Sequence, residues 1–96
     1  MTQPVLDLTP LTLTERVRRV FLDRPLTWID GHAFQQVGGF AGWSARIRDL
    51  RKQPHAMTIL NRTKRSSGYT VTEYLYLPDV RPDEVSDDLR ARVRQL

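Results

Sequence analysis

In this 96-residue chain, the residues whose types and spacing suggest a binding function are two clusters of basic side chains. One cluster lies within 42–52 and the other within 62–65, and their members are Arg46, Arg48, Arg51, Lys52, Arg62, Lys64 and Arg65. Between residues 42 and 68 these seven cations are accompanied by a single acid, Asp49, whereas the rest of the chain is slightly acidic. A positive field localised in this way attracts polyanions. The expected chemistry is therefore the binding of phosphate groups of a nucleic acid, or of an acidic partner.

The sequence shows no comparable grouping for catalysis or for a metal ion. Cysteine is absent, and neither His32 nor His55 has a second histidine or a paired carboxylate at ligand spacing. The Gly-Gly-Phe-Ala-Gly run at 38–42 fits neither a phosphate-binding P-loop nor a dinucleotide fingerprint. We therefore expect a protein that is not an enzyme and that needs no cofactor.

Length and composition indicate a single soluble domain. Hydrophobic residues make up 40% of the chain and charged residues 27%, as in soluble globular proteins. No apolar run approaches the roughly 18 residues that cross a membrane, and the start of the chain lacks the basic-then-apolar layout of a signal peptide. We expect one cytoplasmic domain, preceded by an extended arm over 1–12.

The first basic cluster is predicted to lie on an amphipathic helix over 42–52. At about 100° per residue, the apolar side chains form one stripe and the charged ones lie opposite, with Trp43, Ile47 and Leu50 against Arg48 and Lys52. Trp43 is expected to anchor this helix in the core rather than to stack on a base. The alternative is a solvated helix in which Arg46 pairs with Asp49 three residues on.

Two further helices are predicted before the basic helix. Apolar residues at helical spacing predict a helix over 13–23, which Thr12 caps. A short strand or extended link over 26–29 precedes a second helix over 31–37. The glycine pair at 38–39 is expected to end that helix and to form the turn before the basic helix.

The second basic cluster is predicted to lie at the tip of a β-hairpin. Runs rich in β-branched and aromatic residues predict strands over 57–61 and 69–77, joined by a tip over 62–68. The side chains of the second strand alternate between two faces, with Val71, Leu75 and Leu77 on one and Tyr74 and Tyr76 on the other. The basic tip could also be a solvated loop.

A last helix is predicted over the C-terminal region, 79–96. Its apolar side chains step by four, four and three residues, which gives the stripe Val85, Leu89, Val93 and Leu96. This stripe is expected either to cover the tyrosine face of the hairpin or to pair with a second copy of the chain. The second option predicts a homodimer.

The order of helix, short strand, helix, turn, helix and basic-tipped hairpin over 13–77 resembles a winged helix-turn-helix domain. The motifs that carry the resemblance are Trp-Ile-Asp-Gly at 28–31, Gly-Gly at 38–39 and Ser-Ala-Arg-Ile-Arg-Asp-Leu-Arg-Lys at 44–52. They are similar to those of the small winged-helix proteins encoded by bacteria, phages and prophages. The resemblance implies an α+β, mainly α fold, in which a three-helix core and a β-hairpin wing over 13–78 are followed by an additional C-terminal helix over 79–96.

The resemblance also implies a function, the sequence-specific binding of double-stranded DNA by a phage or bacterial transcriptional regulator. The basic helix would enter the major groove, where Arg46 or Arg48 would bind guanine. The wing would reach the backbone or the adjacent minor groove through Arg62, Lys64 and Arg65. The remaining contacts are expected to be with phosphates, from Ser44, Arg51 and Lys52 and, less centrally, from Gln35 and Gln36.

Two other functions stay open on the sequence. A winged-helix domain can serve protein contacts, with its cationic face meeting an acidic partner. The Gly-Phe-Ala-Gly run at 39–42 between two helices is similar to the Gly-x-x-Gly clamp of KH domains, which bind RNA. The usual basic residue inside that clamp is missing here, so RNA binding is the weaker alternative.

Overall fold

Helices and short strands alternate along the chain in the computed structural model, which describes residues 11–37 and 42–96. In chain order the elements are α1 (Leu13–Asp23), β1 (Ile29–Asp30), a 3-10 helix (Gly31–Val37), α2 (Trp43–Arg51), β2 (Ile59–Ser66), β3 (Tyr69–Tyr76), a second 3-10 helix (Pro82–Glu84) and α3 (Asp87–Val93). The predicted arm, apart from residues 11 and 12, and the Gly-x-x-Gly run, apart from residue 42, lie outside the described residues. This part of the chain is α+β, and its layout is compatible with a winged helix.

Helix α1 forms over the residues that its sequence predicts. Thr12 is extended, and its hydroxyl accepts a hydrogen bond from the backbone N–H of Glu15 at 3.2 Å, so it begins the helix. The helix ends at Asp23, two residues before a proline. Its inner face is fully buried through Val17 and Phe21. The prediction for this helix is confirmed.

The second predicted helix also forms over the expected residues, but as a 3-10 helix. It begins where the Asp30 carboxylate accepts a hydrogen bond from the backbone N–H of His32 at 2.8 Å. Its buried Phe34 ring lies 5.1 Å from that of Phe21 and 5.6 Å from that of Trp43, measured between centroids. The three rings join α1, the 3-10 helix and α2 in one core.

The three strands form one antiparallel sheet in the order β1-β3-β2, which leaves β2 at an edge. Strand β2 continues beyond its predicted end as far as Ser66 and pairs with β3 along its whole length. The connection is a two-residue turn, Ser67 and Gly68, whose φ angles are +44° and +86°. Positive φ at both positions is what a type I′ hairpin turn requires. The predicted tip over 62–68 is therefore wrong, because most of it is strand.

Both faces of β3 are covered. Tyr74 and Tyr76 pack against the core formed by α1, the first 3-10 helix and α2. Leu75 and Leu77 lie on the opposite face and pack with Val93 of α3. The C-terminal region therefore covers this leucine face, and the expectation that it covers the tyrosine face is wrong.

The C-terminal region is not the single helix predicted over 79–96. Val85 and Ser86 are extended and separate the second 3-10 helix from α3. The Ser86 hydroxyl accepts a hydrogen bond from the backbone N–H of Leu89 at 3.1 Å. Serine competes well for this capping position, so it begins a new helix instead of continuing the old one.

Most of the predicted apolar stripe is used inside the chain. Val85, Leu89 and Val93 pack in the cluster on the leucine face, whereas Leu96 is 64% exposed. A second copy of the chain is therefore not needed to cover the stripe, and the argument for a homodimer is lost. The homodimer itself stays a prediction.

Gly31 is tightly enclosed, and its replacement by alanine is expected to destabilise the fold. A Cβ atom there would lie 2.7 Å from the Trp43 ring and 3.1 Å from the carbonyl oxygen of Thr72. Because the ring would have to shift, we expect Gly31→Ala to lower the free energy of unfolding by about 1–3 kcal/mol. Urea denaturation followed by tryptophan fluorescence measures the change. Gln36→Ala, an exposed change on the same 3-10 helix, is the control, and equal stability of Gly31→Ala and the wild type would contradict this packing.

Candidate nucleic-acid interface

Helix α2 has the two faces that its sequence predicts. Ile47 and Leu50 are buried. Ser44, Arg48 and Lys52 are exposed, and their spacing of four residues places them in one row along the helix. Three of the predicted contact residues are therefore presented to solvent side by side.

Trp43 holds the start of this helix in the core, as predicted. Its ring is half-buried, stacks on Phe34 with an interplanar angle of 20°, and meets Tyr74 edge-on at 5.9 Å. Burial raises the pKa of the Tyr74 hydroxyl, and the nearby Arg51 partly opposes this shift. The aromatic cluster fixes the position of α2 against β3.

Arg46 is engaged within its own helix. Its Nε lies 3.4 Å from Oδ2 of Asp49, which is the intrahelical pair that the sequence offered as an alternative. That Nε is buried and has no hydrogen-bond partner among the described residues. Arg48 is therefore the better candidate for a base contact.

Arg51 is tied to the sheet. Its Nε donates a hydrogen bond to the backbone carbonyl of Ile59 at 3.0 Å, which joins the end of α2 to the start of β2. Burial lowers the pKa of the Arg51 guanidinium, Tyr74 partly opposes this shift, and Arg90 adds a smaller lowering. Because this hydrogen bond directs the exposed side chain toward the edge of β2, we leave Arg51 out of the proposed DNA interface.

Arg62 lies within β2 rather than in a tip, and three groups hold its guanidinium. Its Nε is 2.9 Å from Oε1 of Glu73, its Nη1 donates to the Arg94 carbonyl at 2.8 Å, and its central carbon lies 4.2 Å from the centroid of the Trp28 ring. The Arg62 side chain is 24% exposed and that of Glu73 14%. Trp28 in turn donates from Nε1 to the Val93 carbonyl at 3.1 Å. This Arg62 cluster fastens α3 to the hairpin, so Arg62 is also left out of the interface.

Lys64 and Arg65 are exposed near the turn but lie on opposite faces of the hairpin. Arg65 pairs with Thr70, on the face that carries Tyr74 toward the helices. Lys64 pairs with Val71, on the leucine face. The single basic cluster expected at the wing is therefore divided between two faces.

A cleft of about 210 Å³ separates the first 3-10 helix and the start of α2 from β3. The side chains that line it and can form hydrogen bonds include Asp30, His32, Gln35, Thr70 and Thr72. His32 Nδ1 lies 3.0 Å from Oδ1 of Asp30, a pairing that corrects the expectation of an isolated histidine. Thr70 and Thr72 were not among the predicted contact residues. The alternation of side chains along β3 could have indicated them, because it places both on the same face as the tyrosines.

The exposed side chains of the predicted interface are mostly hydrogen-bond donors that suit anions. The predicted contact residues that are exposed are Gln35, Gln36, Ser44, Arg48, Arg51, Lys52, Lys64 and Arg65, and of these Arg51 already donates from Nε to the Ile59 carbonyl. In residues 11–37 and 42–96, no group of three or more histidines and carboxylates is placed to hold a metal ion. No helix in this part of the chain has the length and apolar character that crossing a membrane needs.

Comparison of the chain with protein-family models, with curated proteins and with solved structures finds no match. A functional proposal for it therefore rests on its own residues and their geometry.

The contrast between Arg62 and Lys64 tests this geometry. Arg62→Gln leaves the mostly buried Glu73 carboxylate without its partner, so we expect it to lower the free energy of unfolding by about 2–3 kcal/mol. Lys64→Gln removes the same charge from the same face and is expected to change it by less than about 0.5 kcal/mol. Urea denaturation of both variants measures the difference. Equal stabilities would show that Arg62 is a free surface cation, contrary to the structure.

Proposed function

We propose that this chain is a sequence-specific double-stranded DNA-binding protein with a winged-helix fold, acting as a transcriptional regulator in the cytoplasm of a bacterial or phage-infected cell. The observation that carries the proposal is the exposed row of Ser44, Arg48 and Lys52 on α2, opposite the buried Ile47 and Leu50. A helix with one buried face and one cationic face is suited to docking in the major groove while it stays anchored to its own core.

The dimensions of α2 suit this role. Its nine residues span about 14 Å at 1.5 Å per residue, close to the roughly 12 Å width of the major groove. Arg48, in the middle of the exposed row, is assigned to a bidentate contact with guanine. Ser44 in the first turn and Lys52 after the last are assigned to phosphates on either side.

The hairpin supplies the second contact. Arg65 lies beside the turn on the face directed toward the helices, so it is the wing residue assigned to the same duplex. Thr70 and Thr72 share that face and line the cleft next to α2. Gln36 is assigned to a phosphate hydrogen bond, whereas Lys64, on the other face, contributes to the long-range positive field.

One observation favours a second function, contact with an acidic protein. Strand β2 is an edge strand, and charged side chains such as Lys64 and Arg65 on an edge strand also prevent pairing with other strands. On that interpretation the hairpin cations need no nucleic acid, and the cationic face of α2 would meet carboxylates. Duplex binding is the measurement that separates the two proposals.

Binding to duplex DNA selected in vitro from a random pool is expected, and Arg48→Gln should weaken it. Loss of one bidentate guanine contact costs about 1–3 kcal/mol, which is roughly a 5- to 150-fold rise in Kd, and should relax the base preference at one position. Gel-shift titrations measure both effects. Arg92→Gln, at an exposed position of α3, is the control and should leave the affinity unchanged. Absence of duplex binding even at low salt would overturn the proposal and favour the acidic partner.

The salt dependence of binding tests which cations meet phosphates. Arg62 is held by protein groups and Arg51 is not assigned to the duplex, which leaves the four exposed cations Arg48, Lys52, Lys64 and Arg65. The logarithm of the association constant should therefore fall by about 3–4 per log unit of salt. Lys52→Gln is expected to reduce this slope by about 1. Lys64→Gln, on the far face of the hairpin, should reduce it less. An unchanged slope in Lys52→Gln would remove Lys52 from the interface.

A further inference from the structure

We propose that a second cleft, between the end of α2, the free edge of β2 and the C-terminal region, binds a small oxyanion with two negative charges, such as a phosphate group. The cleft has a volume of about 220 Å³. Its polar lining comes from Arg51, Thr58, Asn61 and Arg90, and its apolar walls include Pro82 and Val85. The proposal stands independently of DNA binding.

Two guanidinium groups share this cleft without a counter-ion. Arg51 comes from the last turn of α2 and Arg90 from α3. The described residues that line the cleft include no carboxylate, and the ion pairs found in that part of the chain involve neither arginine. Because Arg51 and Arg90 both line this cleft, their positive charges repel each other across it. A bound dianion would remove this repulsion.

The Arg51 guanidinium is oriented before any ligand arrives. Its Nε donates to the Ile59 carbonyl at 3.0 Å, which fixes the plane of the group. Among the described residues its two terminal amino groups have no hydrogen-bond partner, so they are available to a ligand. A planar guanidinium matches two oxygens of a phosphate with two parallel hydrogen bonds.

The free edge of β2 adds a backbone donor. The Thr58 carbonyl accepts a hydrogen bond from the Leu77 N–H beside β3, and the next residue, Ile59, points its carbonyl to the opposite side, toward Arg51. Backbone groups alternate along an antiparallel strand, so Asn61 presents its N–H on that same outer edge. Asn61 also lines the cleft. The outer edge of β2 and the two arginines therefore place hydrogen-bond donors around the same cleft.

The volume and the charge of the cleft define the ligand. At about 220 Å³ it is smaller than the roughly 300–1,000 Å³ of pockets that hold drug-sized molecules, so a small ion or a single phosphate group fits it better. Two positive charges favour a dianion over a carboxylate. The wall is held in place because the Thr58 hydroxyl donates a hydrogen bond to the Val80 carbonyl, which keeps the C-terminal region against β2.

Titration of the full chain with inorganic phosphate at pH 8 tests the site, with sodium acetate and sodium chloride at equal ionic strength as comparisons. We expect saturable phosphate binding by calorimetry, with backbone NMR shifts centred on Asn61. Arg90→Gln should weaken binding by about tenfold or more, because it removes charge-assisted hydrogen bonds. Arg92→Gln removes the same charge from the same helix and should change the affinity less than twofold.

Three results would overturn the proposal. Acetate or chloride could reproduce the phosphate response, or Arg90→Gln and Arg92→Gln could respond alike, and either result would reduce the effect to general charge screening. Arg90→Gln could also weaken duplex binding as strongly as Arg48→Gln, which would make the cleft part of a DNA interface. Failure of DNA binding alone leaves the phosphate titration interpretable, so the two proposals fail separately.

Discussion

Strand β3 has to be covered on both of its faces, and the rest of the structure depends on this requirement. Tyr74 and Tyr76 face the helical core, while Leu75 and Leu77 face the C-terminal region. A three-stranded sheet cannot shield two apolar faces by itself, so it needs a layer on each side. The C-terminal region is therefore an integral layer of this fold. The same packing uses the apolar stripe that the sequence left available for a second subunit.

Burial on the leucine face also determines what Arg62 does. This arginine stands directly opposite Glu73 in the register of β2 and β3, close to the apolar layer. A charge in such a position has to be paired and hydrogen-bonded. Arg62 donates to the Arg94 carbonyl at the end of α3, where the last backbone carbonyls lack helical partners. Trp28 donates to the neighbouring Val93 carbonyl, which also accepts from the backbone N–H of Leu96. One cluster therefore satisfies both a partly buried charge and a helix terminus.

Helices α1 and α2 and the division of β3 into two faces could be predicted because their signals are local. Apolar spacing and the Thr12 cap define α1, and alternation defines the faces of β3. The different fates of Arg62 and Lys64 could not be predicted, since they depend on which residue stands opposite each one across the hairpin. That register is set by the two-residue turn at Gly68, and an error in the turn moves every pairing. Contacts between elements distant in sequence carry no periodic signal of their own.

Two arginines that stabilise the fold, Arg51 and Arg62, also fix the positions of the cations in the proposed interface. Arg51 joins the end of α2 to the start of β2, which places the exposed Arg48 relative to the sheet. Arg62 holds the middle of the same strand to α3, and three residues further on the strand carries Arg65. Both parts of the proposed interface are thus fixed to one strand by arginines that do not themselves belong to it. Because groups fixed before binding lose less freedom on association, this arrangement favours binding through few contacts.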